Sequence, residues 1–206
     1  MAAEIEVGEL AADDREEWEA FVGESAYGSA YSLPAYLETL ATAGGGTVRT
    51  ILARRGAALA GGIAVVEHPL PRGSYVAPRL LNYYNGFVLR DYDTKYPSQR
   101  AARQNEVVAA LGKNLTQRGY GRLEIRSRAP LTDFRPLLAD GWSAAPSYSY
   151  VVSLDDLELL WSRIDQNLRR LVERARGLGL ELAVDEDFGA FYDLHAATGA
   201  RKSAPV

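Results

Sequence analysis

The chain has 206 residues, 47% of them apolar and 24% charged, with 19 Gly, 9 Pro and a net charge of −4, which excludes intrinsic disorder. Its longest nearly unbroken apolar run, residues 57–66, holds Gly61 and Gly62 and is half as long as a bilayer-spanning helix needs to be. With no cysteine, and with only His68 and His195 far apart in sequence, disulfides, a thiol nucleophile and Cys-type or all-His metal sites are excluded.

The charge is uneven. Residues 1–24 carry nine acids against Arg15, a balance of −8, which leaves +4 for the rest. That excess is mild and dispersed, unlike the clustered basic face of a nucleic-acid binder, so no sequence-specific nucleic-acid binding is expected. The start of the chain has neither a basic stretch nor an apolar h-region, and the expected compartment is the cytoplasm. A length of 206 residues fits one ordinary domain or one and a fraction, since about 150 residues per domain is only a soft prior.

In chain order, Ile5 to Val7 alternates as a short strand. Asp13 or Asp14 is placed to cap a helix with Trp18, Phe21 and Val22 on its apolar face. Ser32 before Leu33-Pro34 signals a second helix, with Tyr36, Leu37 and Leu40 on its apolar side and Gly44-Gly45-Gly46 as its stop. Residues 47–54 and 59–68 read as strands joined by Arg55-Gly56-Ala57-Ala58, an antiparallel hairpin. After a Pro/Gly-rich loop, residues 80–89 contain a strand interrupted by Asn85-Gly86.

Ser98 is placed to cap a long amphipathic helix to Arg118, with Ala101, Gln104, Val108, Leu111 and Leu115 spaced by three or four. A strand over 123–126, a short helix from Thr132 or Asp133 to Gly141, and a strand over 148–154 follow, Tyr148 and Tyr150 being assigned to core packing. Asp155-x-x-Glu158 opens a long helix through Leu157, Trp161, Ile164, Leu168 and Leu171, with a break near Asp165. Gly177 and Gly179 end it, residues 180–184 read as a strand, and Asp187 caps a last helix.

Two constellations carry chemistry. Arg163, Arg169, Arg170, Arg174 and Arg176 against Asp165 and Glu173 put a net +3 on the long helix. Arg170 and Arg174 share a face, and guanidinium forks suit phosphate or carboxylate. The cluster is a clamp for a phosphorylated substrate or a solvated face beside an apolar stripe. Tyr83-Tyr84-Asn85-Gly86-Phe87, continued by Arg90-Asp91-Tyr92-Asp93 and Tyr96, lines a polar pocket or covers a sheet edge. Phosphate-loop, serine-hydrolase and zinc-helix motifs are absent. His68, at a strand end, reads as structural, and His195 as a packing or helix-end residue.

The order of elements resembles the GNAT acyltransferase fold, and four stretches resemble its FemAB-like branch. These are Trp18-x-x-Phe21-Val22 with Gly28-Ser-Ala-Tyr-Ser-Leu-Pro-Ala-Tyr36, Gly86-Phe-Val-Leu-Arg-Asp-Tyr-Asp93, the linker-helix run Asn167-Leu-Arg-Arg-Leu-Val-Glu-Arg-Ala175, and Asp187-Phe-x-x-Phe-Tyr-Asp-Leu-His195. The resemblance implies an α/β fold with a mixed, mostly antiparallel sheet flanked by helices over 1–153. A linker helix and the start of a second, incomplete GNAT-like unit would follow over 154–206.

It also implies transfer of an acyl or aminoacyl group to an amine of a cell-wall (peptidoglycan) or related precursor. Arg169 or Arg170 would contact substrate phosphate, and Tyr83, Tyr84 and Asp91 would serve as pocket residues. The donor, acyl-CoA or aminoacyl-tRNA, would bind the second unit, and no cofactor is expected in this chain. The glycine loop that holds CoA pyrophosphate before the long helix of a catalytic GNAT unit is replaced by Thr94-Lys-Tyr-Pro-Ser-Gln-Arg100. Leu40 stands where some relatives carry a basic residue. The alternatives are a non-catalytic GNAT-fold binding or regulatory module and a CoA-dependent N-acetyltransferase.

Overall fold

The computed structural model describes residues 4–128, 130–179, 184 and 187–201. It divides into two compact units, Met1–Pro146 and Ser147–Val206. The first is built on a six-stranded sheet: β1 (Ile5–Glu9), β2 (Thr47–Arg55), β3 (Ala58–Pro69), β4 (Ser74–Val76), β5 (Phe87–Leu89) and β6 (Arg122–Leu123). The strand order is β1-β2-β3-β4-β6, with β5 also on β3. Every pair is antiparallel except β4 with β6.

The central strands are covered on both faces, so they read as continuous apolar runs and not as alternations. Ile51, Ile63, Val65, Phe87 and Leu89 point to one layer, where α3 (Pro97–Gln117) brings Val107, Val108, Leu111 and Leu115 and α4 (Arg135–Ala139) brings Leu137. Leu52, Ala64, Val66 and Val88 point to the other, against Trp18, Phe21 and Val22 of α1 (Arg15–Glu24) and Leu37 and Ala41 of α2 (Pro34–Gly44).

The helices on the two faces converge on adjacent glycines of β3. A Cβ on Gly61 would lie 2.8 Å from Val107, and one on Gly62 would lie 2.7 Å from the Trp18 ring and from the Ile51 carbonyl oxygen. The missing side chains are what let α1 and α3 reach the sheet. Trp18 is held there by its indole N–H, which donates to the Ser32 carbonyl at 2.9 Å.

Several expectations need correction. β4 falls in the Pro/Gly-rich stretch that reads as a loop, because its three residues take their pairing from the end of β3 and from β6. Only Phe87–Leu89 of the stretch 80–89 is a strand. A three-residue 3-10 turn, Ala12–Asp14, precedes α1, and neither aspartate caps through its side chain. α2 and α3 start on prolines, Pro34 and Pro97, so Ser32 and Ser98 are not their caps; the fixed φ of proline suffices at a first turn. Residues 148–154 form no strand. Tyr148 and Tyr150 are almost fully exposed, since an alternating sequence makes a strand only where a partner edge receives it.

The second unit holds α5 (Leu157–Arg163), α6 (Gln166–Arg176) and α7 (Phe188–Arg201). The expected long helix breaks where anticipated. Asp156 caps α5 through the Leu159 N–H, and Asp165 caps α6 through the Asn167 N–H, each at 2.8 Å. Asp187 accepts from the Ala190 N–H at 3.0 Å at the start of α7. The strand expected over 180–184 lies almost wholly outside the described residues. No helix among the described residues is long and apolar enough to cross a membrane.

Candidate functional site

β3 serves two short strands in turn, pairing with β5 through Gly61–Ile63 and with β4 through His68 and Pro69. Residues 77–86 connect those strands by leaving the sheet. The excursion turns sharply at Leu80-Leu81, where Arg79 and Asn82 exchange two backbone hydrogen bonds of 3.2 and 2.9 Å. Leu81 has a φ of +63°, the only positive value at a non-glycine residue among those described.

The chain rejoins the sheet through Asn85, which is buried. Its Oδ1 accepts from the Arg126 N–H at 2.8 Å, its Nδ2 donates to the Glu124 carbonyl at 3.0 Å, and its own N–H donates to the Arg126 carbonyl at 3.2 Å. An amide side chain, with donor and acceptor on one planar group, thus stands in for a strand rung. Gly86 follows directly against Ser127, where a Cβ would lie 2.6 Å from both the Ser127 Cα and Oγ.

Four tyrosines surround the excursion. Tyr31, from the turn Ala30–Ser32, lies edge-on to Tyr36 and Tyr83 with ring centroids 5.6 and 6.1 Å away, and tilted against Tyr84 at 5.8 Å. The Tyr36 hydroxyl donates to the Leu81 carbonyl at 2.5 Å. Burial, and then the neighbouring Tyr31 and Tyr83, push the Tyr36 hydroxyl above the ordinary tyrosine range, so it stays protonated and holds that bond. Tyr83 and Tyr84 are exposed enough to meet a ligand. The cluster therefore offers aromatic faces and hydroxyls, which suits a polar molecule with an apolar edge.

Asp91 lies beyond the other end of β5. It is exposed and pairs with Arg100 at 3.5 Å, so β5 stands between it and Tyr83 and Tyr84. That end of the strand is closed by side chains. Ser25 Oγ donates to the Leu89 carbonyl at 2.7 Å, and Gln104 Nε2 donates to the Arg90 carbonyl at 3.1 Å. The Tyr27 hydroxyl donates to Gln104 Oε1 at 3.3 Å. In the glycine-free segment before α3, Thr94 Oγ1 donates to Gln99 Oε1 at 3.1 Å and Arg100 Nε donates to the Tyr92 carbonyl at 3.2 Å.

In the second unit, Arg169 and Arg170 sit on the first turns of α6, Arg169 half-buried and Arg170 exposed. Neither makes an ion pair among the described residues, whereas Arg176 donates to Glu173 at 2.8 Å and covers the Trp161 ring at 5.5 Å.

Sequence reasoning missed Tyr31, Ser25 and Gln104. Tyr31 lies outside any periodic segment, and Gln104 reads there only as a polar member of a helical stripe. It also missed an ion network at the far end of the sheet. Arg49 binds Glu67 at 2.6 Å and Glu9 at 2.7 Å, Arg118 binds Glu9 at 3.0 Å, and the Tyr120 hydroxyl donates to Glu67. Burial alone would raise the Glu67 carboxyl, but the hydrogen bonds from Arg49 and Tyr120 outweigh it and hold the group low. Burial and the Glu67 carboxylate push the Tyr120 hydroxyl up.

A groove of about 200 Å³ is lined by Glu9, Arg15, Glu38, Arg49 and neighbouring residues. Its charges pair internally, Arg15 with Glu38 at 2.8 Å and Arg49 with Glu9 at 2.7 Å. No cluster able to hold a metal occurs among the described residues.

No family model matches the chain, and no curated protein does. Among solved structures it is similar to FemX, with a TM-score of 0.60 and 18% identity over 98% of this chain and 51% of that one. The chain thus spans about half the length of FemX. A ribosomal-protein-alanine N-acetyltransferase from Brucella melitensis biovar Abortus 2308 is also similar, with a TM-score of 0.38 and 18% identity over 73% of this chain and 99% of that one. The fold is GNAT-like, a mixed and mostly antiparallel sheet between helices.

Proposed function

We propose that the chain is the acceptor-binding part of a FemAB-like N-acyltransferase, in which an amine of a cell-wall or related precursor receives an acyl or aminoacyl group. The observation that carries this reading is the likeness to FemX along nearly the whole chain. Tyr31, Tyr36, Tyr83 and Tyr84 are the proposed pocket residues, with Asp91 as an outlying member. Arg169 and Arg170 are the proposed phosphate clamp, since they make no ion pair among the described residues and carry the linker-helix motif. Residues 154–206 would begin a second GNAT-like unit, and that unit would take the donor, acyl-CoA or aminoacyl-tRNA.

The local chemistry of the first unit supports a division of labour. Its segment before α3 has no glycine loop for a pyrophosphate, and Arg100 there is committed to Asp91 and the Tyr92 carbonyl. Titration calorimetry with a nucleotide-linked, amine-bearing peptidoglycan precursor tests the clamp. In Arg169→Ala/Arg170→Ala, loss of charge-assisted contacts worth about 1.5–3 kcal/mol each weakens binding at least tenfold. Unchanged affinity removes the arginines from the site.

A further inference from the structure

The excursion over residues 77–86 is fastened to α2 and its following turn at two points. The Tyr36 hydroxyl donates to the Leu81 carbonyl at 2.5 Å. The second fastening runs through His68, near the end of β3, which is buried at 7% exposure. Its Nδ1 lies 2.8 Å from the carbonyl oxygen of Gly45, the residue that ends α2, and 3.2 Å from Arg79 Nη1 in the excursion. Gly46 packs closely on the ring, since a Cβ there would lie 3.1 Å from Nδ1. The Tyr75 ring lies beside it, with centroids 5.2 Å apart.

One nitrogen cannot satisfy both partners. The carbonyl accepts, so it needs a proton on Nδ1, whereas the guanidinium donates, so it needs a lone pair there. A neutral imidazole protonated at Nε2 takes the Arg79 bond, which is charge-assisted and the stronger of the two. A further proton, on Nδ1, removes the lone pair, donates to Gly45 and sets an imidazolium against the guanidinium. Imidazole is the side chain that makes this change in mildly acid solution. Among the described residues, the charged or titratable groups that face the ring are Arg79 from the excursion and Tyr75 from β4. Glu67, beside it in β3, is bound instead to Arg49 and Tyr120. The last turns of α2, residues 39–44, carry no titratable side chain.

We infer that His68 is a proton-operated latch on the excursion. With the ring neutral, Nδ1 holds Arg79 and fastens the root of the turn. With the ring protonated, Nδ1 serves Gly45 alone and Arg79 is released. The turn is closed by the two backbone bonds that Arg79 exchanges with Asn82, so release of Arg79 loosens that closure. The latch stands independently of the transferase reading, whereas its consequence, weaker acceptor binding at Tyr83 and Tyr84 in acid, rests on that reading.

Two measurements on the 206-residue protein test the latch, each made at about pH 7.5 and about pH 5.5, on either side of the ordinary imidazole range. The Nδ1 nitrogen resonance of His68, told apart from that of His195 with His195→Gln, reads as unprotonated at the higher pH and protonated at the lower. The amides of Arg79 and Asn82, corrected for intrinsic exchange, lose protection about tenfold at the lower pH. His68→Gln, whose amide does not titrate, keeps the same protection at both. Three results overturn the inference: an Nδ1 already protonated at the higher pH, equal protection of the wild type at both, or the same loss in His68→Gln. No readout involves the acceptor, so failure of the transferase reading leaves all three unchanged.

Discussion

Gly86→Ala is the sharpest test of how the seam beside the tyrosines is built. Gly86 does not have a positive φ, so alanine is conformationally acceptable there. Restriction of the unfolded chain alone would even stabilise the protein by about 0.4–1 kcal/mol. The opposing effect is steric. The new Cβ would sit 2.6 Å from the Ser127 Cα and Oγ and 3.0 Å from its Cβ. Ordinary contact begins at 3.4 Å, so the two backbones must separate by about 0.8 Å.

The adjacent rung is Asn85 with Arg126 and Glu124, at 2.8 to 3.2 Å, and a shift of that size breaks or bends at least one of its bonds. Leaving a buried polar group unpaired costs about 1–3 kcal/mol, and overpacking adds about 1–3 kcal/mol. The net expectation is a loss of about 2–4 kcal/mol. Urea unfolding followed by Trp18 fluorescence reads it as a lower midpoint with an unchanged slope. A change within about 0.5 kcal/mol, the range of an unremarkable surface substitution, refutes the close approach.

Asn85→Ala removes all the side-chain bonds of the rung and is expected to cost about 2–3 kcal/mol, read as a melting-temperature drop by calorimetry. Gly62→Ala, whose Cβ would lie 2.7 Å from both the Trp18 ring and the Ile51 carbonyl oxygen, is expected to cost about 1–3 kcal/mol or more and to alter Trp18 fluorescence. The Glu67 carboxyl is held low in the folded protein. Its contribution is therefore complete above the unfolded value of about 4.3 and is lost as pH falls below it. Glu67→Gln should flatten the acid limb of a stability-versus-pH curve. Tyr120 is shifted up, so its contribution is present below the unfolded value of about 10 and fades as pH rises past it. Tyr120→Phe removes that alkaline loss.

The layered fold was legible because its signals are local. Pro34, the Arg55-Gly56 hairpin, the stripe from Gln104 to Leu115 and the aspartate caps of α6 and α7 each act within a few residues. What was not legible depends on pairing across the chain. β4 takes its second partner, and Asn85 its rung, from residues 122–126, about forty residues away, and no sequence period marks a residue whose side chain replaces a backbone rung. The alternation of Tyr148 and Tyr150 misled for the converse reason, since a period of two states a preference and not a partner. Tyr83 and Tyr84 were legible as candidates, but Tyr31, the ring against which both pack, became visible only when the turn at Ala30–Ser32 brought it to them.

The central claim is that this chain recognises an amine-bearing, phosphorylated acceptor and leaves the acyl donor to another unit. It is tested most directly by paired titrations of the 206-residue chain with a nucleotide-linked peptidoglycan precursor and with acetyl-CoA. The account predicts saturable binding of the precursor, weakened by Tyr83→Ala/Tyr84→Ala, and no binding of acetyl-CoA. Saturable binding of acetyl-CoA with none of the precursor would contradict it.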